Sequence, residues 1–226
     1  MRYFIACIVT SLLLIGTTAA DTLHVPGGYS TIQSAINSAN SGDEIYVQPG
    51  TYAERVDYLG KSLVIRSAEG PSATIIDGSV GSGSAVIIDG SMNASLDGFT
   101  ITGGYNYDSY GGGIFCFNST AMLSNCIAQN NSARWGSGIS IKDSNVTIDR
   151  STMIQNVAIG DSAQAGGGLF LENSNASVTN CRITDNSTNY IGGGVRSLDC
   201  DPLFVNCLIA RNNANSYGGG IRGYNS

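Results

Sequence analysis

Five glycine-rich triplets limit this chain more than any other feature. They stand at Gly111-Gly112-Gly113, Gly136-Ser137-Gly138, Gly166-Gly167-Gly168, Gly192-Gly193-Gly194 and Gly218-Gly219-Gly220. An aliphatic residue follows each one: Ile114, Ile139, Leu169, Val195 and Ile221. The steps between them are 25, 30, 26 and 26 residues. A fixed period in this range marks a chain of stacked units, each too small to bury its apolar face alone.

With that aliphatic residue as position zero, position +2 holds Cys116, Ile141, Leu171 and Ser197. Mostly apolar residues two apart describe a strand with one buried face. Position +9 holds Leu123, Ile148, Val178 and Phe204, and position +14 holds Ala128, Met153, Ile183 and Ile209. Asn, Asp and Ser separate these short runs, as turns require. Helical periodicity is absent from the units. The pattern predicts an all-β fold, a right-handed parallel β-helix. Each coil of about 26 residues would return beneath itself, with strands stacked about 4.8 Å apart.

Two columns of the repeat carry polar or reactive atoms. Position +17 is asparagine four times, at Asn131, Asn156, Asn186 and Asn212. That residue suits a turn, where it tolerates left-handed backbone and bonds its own main chain. Position +12 holds Cys126, Ser151, Cys181 and Cys207. A serine in one coil suits a small core slot, so the column reads as a buried ladder rather than a set of bridges. The mature chain keeps five cysteines, an odd number, and no CxxC pair.

The ends differ from the repeat. Arg2, the apolar run Phe4 to Ile15 and the small residues Thr18-Ala19-Ala20 have the form of a secretory signal peptide over residues 1–20. The apolar run is too short to span a membrane, and no transmembrane segment is expected. Residues 21–226 form the β-helix, with a cap over about 21–43 and coils over about 44–226. Ser30-Thr31-Ile32-Gln33 resembles a capping box, and Ile32, Ala35, Ile36 and Ala39 follow helical spacing. This predicts a short capping α-helix over the first coil. The other end stops a few residues into a new coil, at Gly218–Ser226. Solenoids need terminal caps, so a longer chain or end-to-end association is expected there.

Charge narrows the partners. The chain carries a net charge of −6, with only Lys61 and Lys142 as lysines and His24 as its one histidine. No basic stripe is present, so nucleic acid is not an expected partner. Cofactor and metal sites are not expected either, since ligand clusters of the usual spacing are missing.

The stretch VPGGYSTIQSAINSANSGDEIYVQPGTYAE (Val25–Glu54) resembles the start of many pectin-lyase-like β-helix proteins. GGGIFCFNSTAMLSNCIAQNNSA (Gly111–Ala133) and its copies look like the repeats of bacterial right-handed β-helix surface proteins. They are also similar to the GGA-aliphatic and FxxN repeats of chlamydial polymorphic outer-membrane proteins. GTYAE (Gly50–Glu54) is similar to an early pectinesterase motif. The later pectinesterase strings QDT and DFIFG, the polygalacturonase GHG and the pectate lyase WIDH do not occur. No catalytic residue is therefore carried over, and the enzyme reading is the weaker one.

The resemblance implies a secreted or cell-surface protein with a structural, adhesive or glycan-binding role. Its alternative is a polysaccharide-active lyase, hydrolase or esterase. Aromatic residues before the triplets are the candidate contacts to a polysaccharide or cell-surface glycan. They are Tyr110, Trp135, Tyr190 and Tyr217, joined by Tyr105 and Tyr107 from the lengthened loop before Tyr110. The plainer reading is that these rings shield a coil corner. Arg196 and Arg222 share position +1 and are expected to face solvent, as are Lys142 and Glu172 at +3.

Overall fold

The computed structural model describes residues 19–159 and 166–224. It is the expected right-handed parallel β-helix, built from four sheets whose strands pair in register from coil to coil. The triplet sheet runs Val56–Asp57, Val86–Asp89, Ile114–Phe117, Ile139–Lys142, Leu169–Glu172, Val195–Leu198 and Ile221–Tyr224. Its register matches Ile114 to Ile139, Ile139 to Leu169, and Leu169 to Val195. The chain then turns into an eight-stranded sheet that includes Thr120–Ser124, Asn145–Asp149 and Asn175–Thr179. A third sheet of seven strands includes Ile127–Gln129, Thr152–Ile154 and Arg182–Thr184. The fourth, a five-stranded corner sheet, runs Tyr105–Tyr110, Ser132–Trp135, Val157–Ala158, Ser187–Thr188 and Asn213–Ala214.

The core follows the repeat columns. Ile114, Ile139, Leu169 and Val195 are buried, as are Leu123, Ile148 and Val178, and Ala128, Met153 and Ile183. Each such Val, Leu, Ile or Met side chain contributes roughly 1.5–3 kcal/mol when fully withdrawn from water. The glycines serve two purposes. Gly111, Gly136, Gly192 and Gly218 turn the corner at φ between +63° and +71°, where a β-carbon is disfavoured. The third glycine allows close approach. A β-carbon on Gly138 would lie 2.4 Å from the Gly168 carbonyl and 2.8 Å from Asn156 Nδ2.

The asparagine column does something other than turn the chain. Left-handed backbone falls one residue earlier, at Asn130, Gln155, Asp185 and Arg211. Asn131, Asn156 and Asn186 are instead buried and form a ladder. Asn131 N and Nδ2 both donate to Asn156 Oδ1, at 3.1 Å each. Asn156 repeats this toward Asn186, and Asn186 toward Asn212. The side chain satisfies the amides of this buried corner, where the sheet hydrogen bonds are interrupted.

The cysteine column is a core ladder as expected. Cys126 and Cys181 are buried, and Ser151 lies between them. Two coil spacings, about 9.6 Å, separate those sulfurs' strands, beyond the reach of a bridge. Cys126 Sγ donates to Ser124 O at 3.1 Å, and Ser151 Oγ makes the same bond to Asp149 O at 2.9 Å.

At the N-terminal end the helix spans Ile32–Ser38. Its cap is Thr31, one residue later than the Ser30 of the sequence pattern, with Ser34 completing the box. Tertiary contacts decide the position. Glu54 accepts from Ile32 N and Gln33 N at 2.8 Å each, and Lys61 Nζ donates to the carbonyls of Ile36, Asn37 and Ala39. A carboxylate at the start and an ammonium at the end both suit the helix dipole. Thr22–Val25, within the expected cap, already pairs with Glu44–Val47 as a strand of the solenoid. Residues 1–18 of the expected signal peptide, which covers 1–20, lie outside the described residues.

Candidate functional site

Strand alternation sends positions +1 and +3 of the triplet sheet outward. At +1 these are Phe115, Ser140, Phe170 and Arg196; at +3 they are Phe117, Lys142 and Glu172. The corner sheet delivers Tyr110 onto this face at its end. Its ring is 5.7 Å from Phe115, nearly parallel at 10°, and 5.8 Å from Phe170. Those two phenylalanines stand two coils apart, so the tyrosine bridges the coils across the Ser140 strand. Ser140 is buried, and its Oγ has no hydrogen-bond partner among the described residues. A small residue in this slot makes the notch that the ring occupies.

Trp135 packs against Tyr110, with ring centroids 4.7 Å apart and planes tilted by 42°, and Phe117 stacks on Phe115 at 6.0 Å. Tyr110 and Trp135 are register partners in the corner sheet. The result is a continuous aromatic platform, half-buried at Tyr110, Phe115, Phe117 and Trp135 and fully buried at Phe170. Such offset and tilted ring pairs add about 0.5–1.5 kcal/mol each beyond their buried area.

One end of the platform is polar. Tyr110 Oη donates to Glu172 Oε2 at 3.0 Å, and Lys142 Nζ donates to Glu172 Oε1 at 2.6 Å. The Lys142 ammonium also lies 5.1 Å from the Tyr110 ring centre. Burial, then the adjacent Glu172 carboxylate, raises the Tyr110 hydroxyl above the ordinary phenol range. Burial works against the Lys142 charge, but its bond to Glu172 and the nearby Tyr110 and carboxylates outweigh this and raise its pKa. Tyr110 and Lys142 thus stay protonated donors on one carboxylate.

The six predicted aromatics divide. Tyr110 and Trp135 join the platform. Tyr105 and Tyr107 lie along the same strand with their side chains in solvent, Tyr107 at 57% exposure. Tyr190 and Tyr217 lie toward the C-terminal coils, where Ile191 bridges Tyr217. Tyr217 is 68% exposed, with the Arg222 guanidinium 6.0 Å from its ring. Phe115, Phe117, Phe170 and the Glu172 bonds are not among the predicted contacts. Their signal in the sequence is an outward strand column holding phenylalanine where solvent would favour a polar residue.

Arg196 departs from the expectation of a solvent-facing column. It is only 5% exposed, lies against Gly166, and donates from Nη1 to Ser197 O at 3.0 Å and Arg222 O at 3.3 Å. Alternation places the side chain outside the coil, but Gly166 and the carbonyls of Ser197 and Arg222 lie against it there. Burial, then the nearby Arg222 charge, lowers the Arg196 pKa. Glu54 of the GTYAE motif is likewise spent, on the helix start. Among the described residues, no group of three or more His, Cys, Asp or Glu could hold a metal ion. Among them too, no helix is long and apolar enough to cross a membrane.

Solved structures similar to this chain include a pectin methylesterase in complex with a hexasaccharide, 11% identical, covering 92% of this chain and 82% of its own at a TM-score of 0.48. Another is pectin methylesterase from carrot, 11% identical, with coverages of 93% and 90% and a TM-score of 0.44. A third is pectate lyase Pel9A, 13% identical, with coverages of 93% and 79% and a TM-score of 0.35. No curated protein matches the chain by sequence. The family described as right-handed β-helix region matches residues 67–226. This match spans every coil that carries a glycine triplet, and the chain belongs to the right-handed β-helix family.

Proposed function

We propose that this is an exported β-helix protein that binds polysaccharide through the aromatic platform on the outer face of its triplet sheet. The observation that carries the reading is Tyr110 lying across two coils between Phe115 and Phe170, with Trp135 against it. Aromatic faces present flat apolar area to the CH faces of sugar rings, and the Tyr110–Lys142–Glu172 trio supplies polar groups at one end for hydroxyl contacts. Export is supported by Arg2, the apolar run to Ile15 and the small residues before Asp21.

The test is a glycan array, followed by titration of the best ligand. Trp135→Ala is expected to weaken binding at least about tenfold, or about 1.4 kcal/mol, with the coil fold retained by circular dichroism. Unchanged affinity in Trp135→Ala, with binding present in the parent, overturns the platform. A second reading, a polysaccharide-active enzyme, draws on the same trio as its convergent ionisable group. Formation of unsaturated product from a polyuronate, lost in Tyr110→Phe, decides for that reading.

A further inference from the structure

We infer that cleavage after Ala20 creates a structural ion pair, in which the new α-ammonium of Asp21 binds the buried carboxylate of Asp43. The inference rests on the export reading, and it begins from a misplaced charge. Asp43 is 5% exposed. Among the described residues, no lysine, arginine or histidine forms an ion pair with it. The nearest lysine in the chain, Lys61, spends its ammonium on the carbonyls at the end of the helix. A carboxylate taken out of water without a cation is costly.

The groups that do reach Asp43 are two main-chain nitrogens. Asn40 N donates to Oδ2 at 2.7 Å, and Asp21 N donates to Oδ1 at 2.9 Å. Asp21 is also the first residue after the small-residue signal Thr18-Ala19-Ala20. The nitrogen already aimed at the buried carboxylate is therefore the one that processing would free. Its position is set independently, because Glu44 N donates to Asp21 O at 2.8 Å and the next residue, Thr22, starts the first strand. Ala19 and Ala20 are exposed, so their loss removes no packed side chain.

The step is a hydrolysis by the export peptidase of the host. Water adds across the Ala20–Asp21 amide, Ala20 leaves with a new carboxylate, and the Asp21 nitrogen becomes an ammonium at neutral pH. An amide hydrogen bond to the Asp43 carboxylate becomes an ammonium–carboxylate ion pair at the same atoms. The pair joins the first strand to the Asn40–Asp43 turn that follows the capping helix. The cap of the solenoid is then strongest in the processed chain and weaker in the precursor.

The experiment uses the full chain exported from a secreting host. A second version has Gly-Ser inserted between Ala20 and Asp21, so that the processed terminus lies two residues from Asp21. Asp43→Asn is made in both. Intact mass reads the terminus, thermal melting reads stability, and amine labelling near neutral pH reads the α-ammonium. Asp43→Asn is expected to lower the melting temperature by roughly 5 °C when Asp21 is first, and by less than half of that in the extended version. The Asp21 amine is expected to label at least about tenfold more slowly than the amine of the extended chain, as a raised pKa requires. If Asp43→Asn does not fold, the labelling contrast between the two parent chains carries the test alone. A first residue other than Asp21 overturns the processing reading and the pair with it. Asp21 at the terminus with equal costs in both versions, or equal labelling rates, overturns the ion pair only.

Discussion

The inner and outer surfaces of the triplet sheet are made by the same strands, yet they follow different rules. Inward, each coil repeats its neighbour: Ile114, Ile139, Leu169 and Val195 occupy one column and are all buried. The buried Asn131–Asn156–Asn186 column beside them repeats a single hydrogen-bonding scheme. Outward, the +1 column reads Phe115, Ser140, Phe170, Arg196 and Arg222, changing chemistry from ring to hydroxyl to guanidinium along the stack. A column that must stack on its own copy selects one side-chain shape. A column released from filling the core can specialise, and the aromatic platform lies where the outward column departs from repetition.

The largest effect is expected from Asn156→Leu, in the middle of the ladder. It removes the donors to Ala128 O and Asn186 Oδ1 and the acceptor used by Asn131 N and Nδ2. Loss of about 3 kcal/mol is expected, since each buried group left unsatisfied costs about 1–3 kcal/mol. Denaturant unfolding measures it. A cost below about 1 kcal/mol would show that the ladder is a by-product of the coil and not a support for it.

The outer face predicts a smaller stability effect and a larger functional one. Tyr110→Phe keeps the ring on Phe115, Phe170 and Trp135 but loses the hydroxyl bond to Glu172. About 1 kcal/mol of stability is expected to go, with Lys142 still held by Glu172. Ligand affinity falls if the trio touches sugar hydroxyls. A Tyr110→Phe protein that binds the array ligand as tightly as the parent restricts recognition to the ring faces.

The inner surface is legible in the repeat alone. Period two around Ile114 and a second apolar column at Leu123 leave no choice of buried face once coils stack. The asparagine column is equally visible as a column, but its residue type points to a turn and its place in the fold is a buried ladder. Identity of residue does not say which way a side chain points. The true left-handed positions, Asn130, Gln155, Asp185 and Arg211, vary because the corner geometry forces that backbone, not the residue type. The helix start is ambiguous by one residue in the sequence, since Ser30 and Thr31 both have a partner three positions on. Glu54, 22 positions away from Ile32, decides it. The same limit applies to the site. Tyr110 and Trp135 stand out by their place ahead of the triplets, whereas alternation puts Phe170 and Arg196 outside without saying what covers them.

The smallest effect is expected where the inner rule is tightest. Cys126→Ser places the residue of one coil into the slot of its neighbour, where Ser151 already bonds the carbonyl two residues back. The cost is expected to stay below about 1 kcal/mol, since shape and hydrogen bond are both kept. Thiol chemistry reports on the same core. Burial pushes the Cys126 and Cys116 thiols up to about 12, so at pH 8 about one in 10,000 is ionised. The thiolate is the reactive form, and raising the pH toward 9 leaves both thiols protonated. Cys207, half-exposed on a later coil, is therefore expected to alkylate before Cys126 and Cys116 in the folded protein. Labelling of Cys126 at the rate of Cys207 would mean that the coils open and close around the ladder faster than the reagent reacts. The inner column would then be regular in sequence without being closed to solvent.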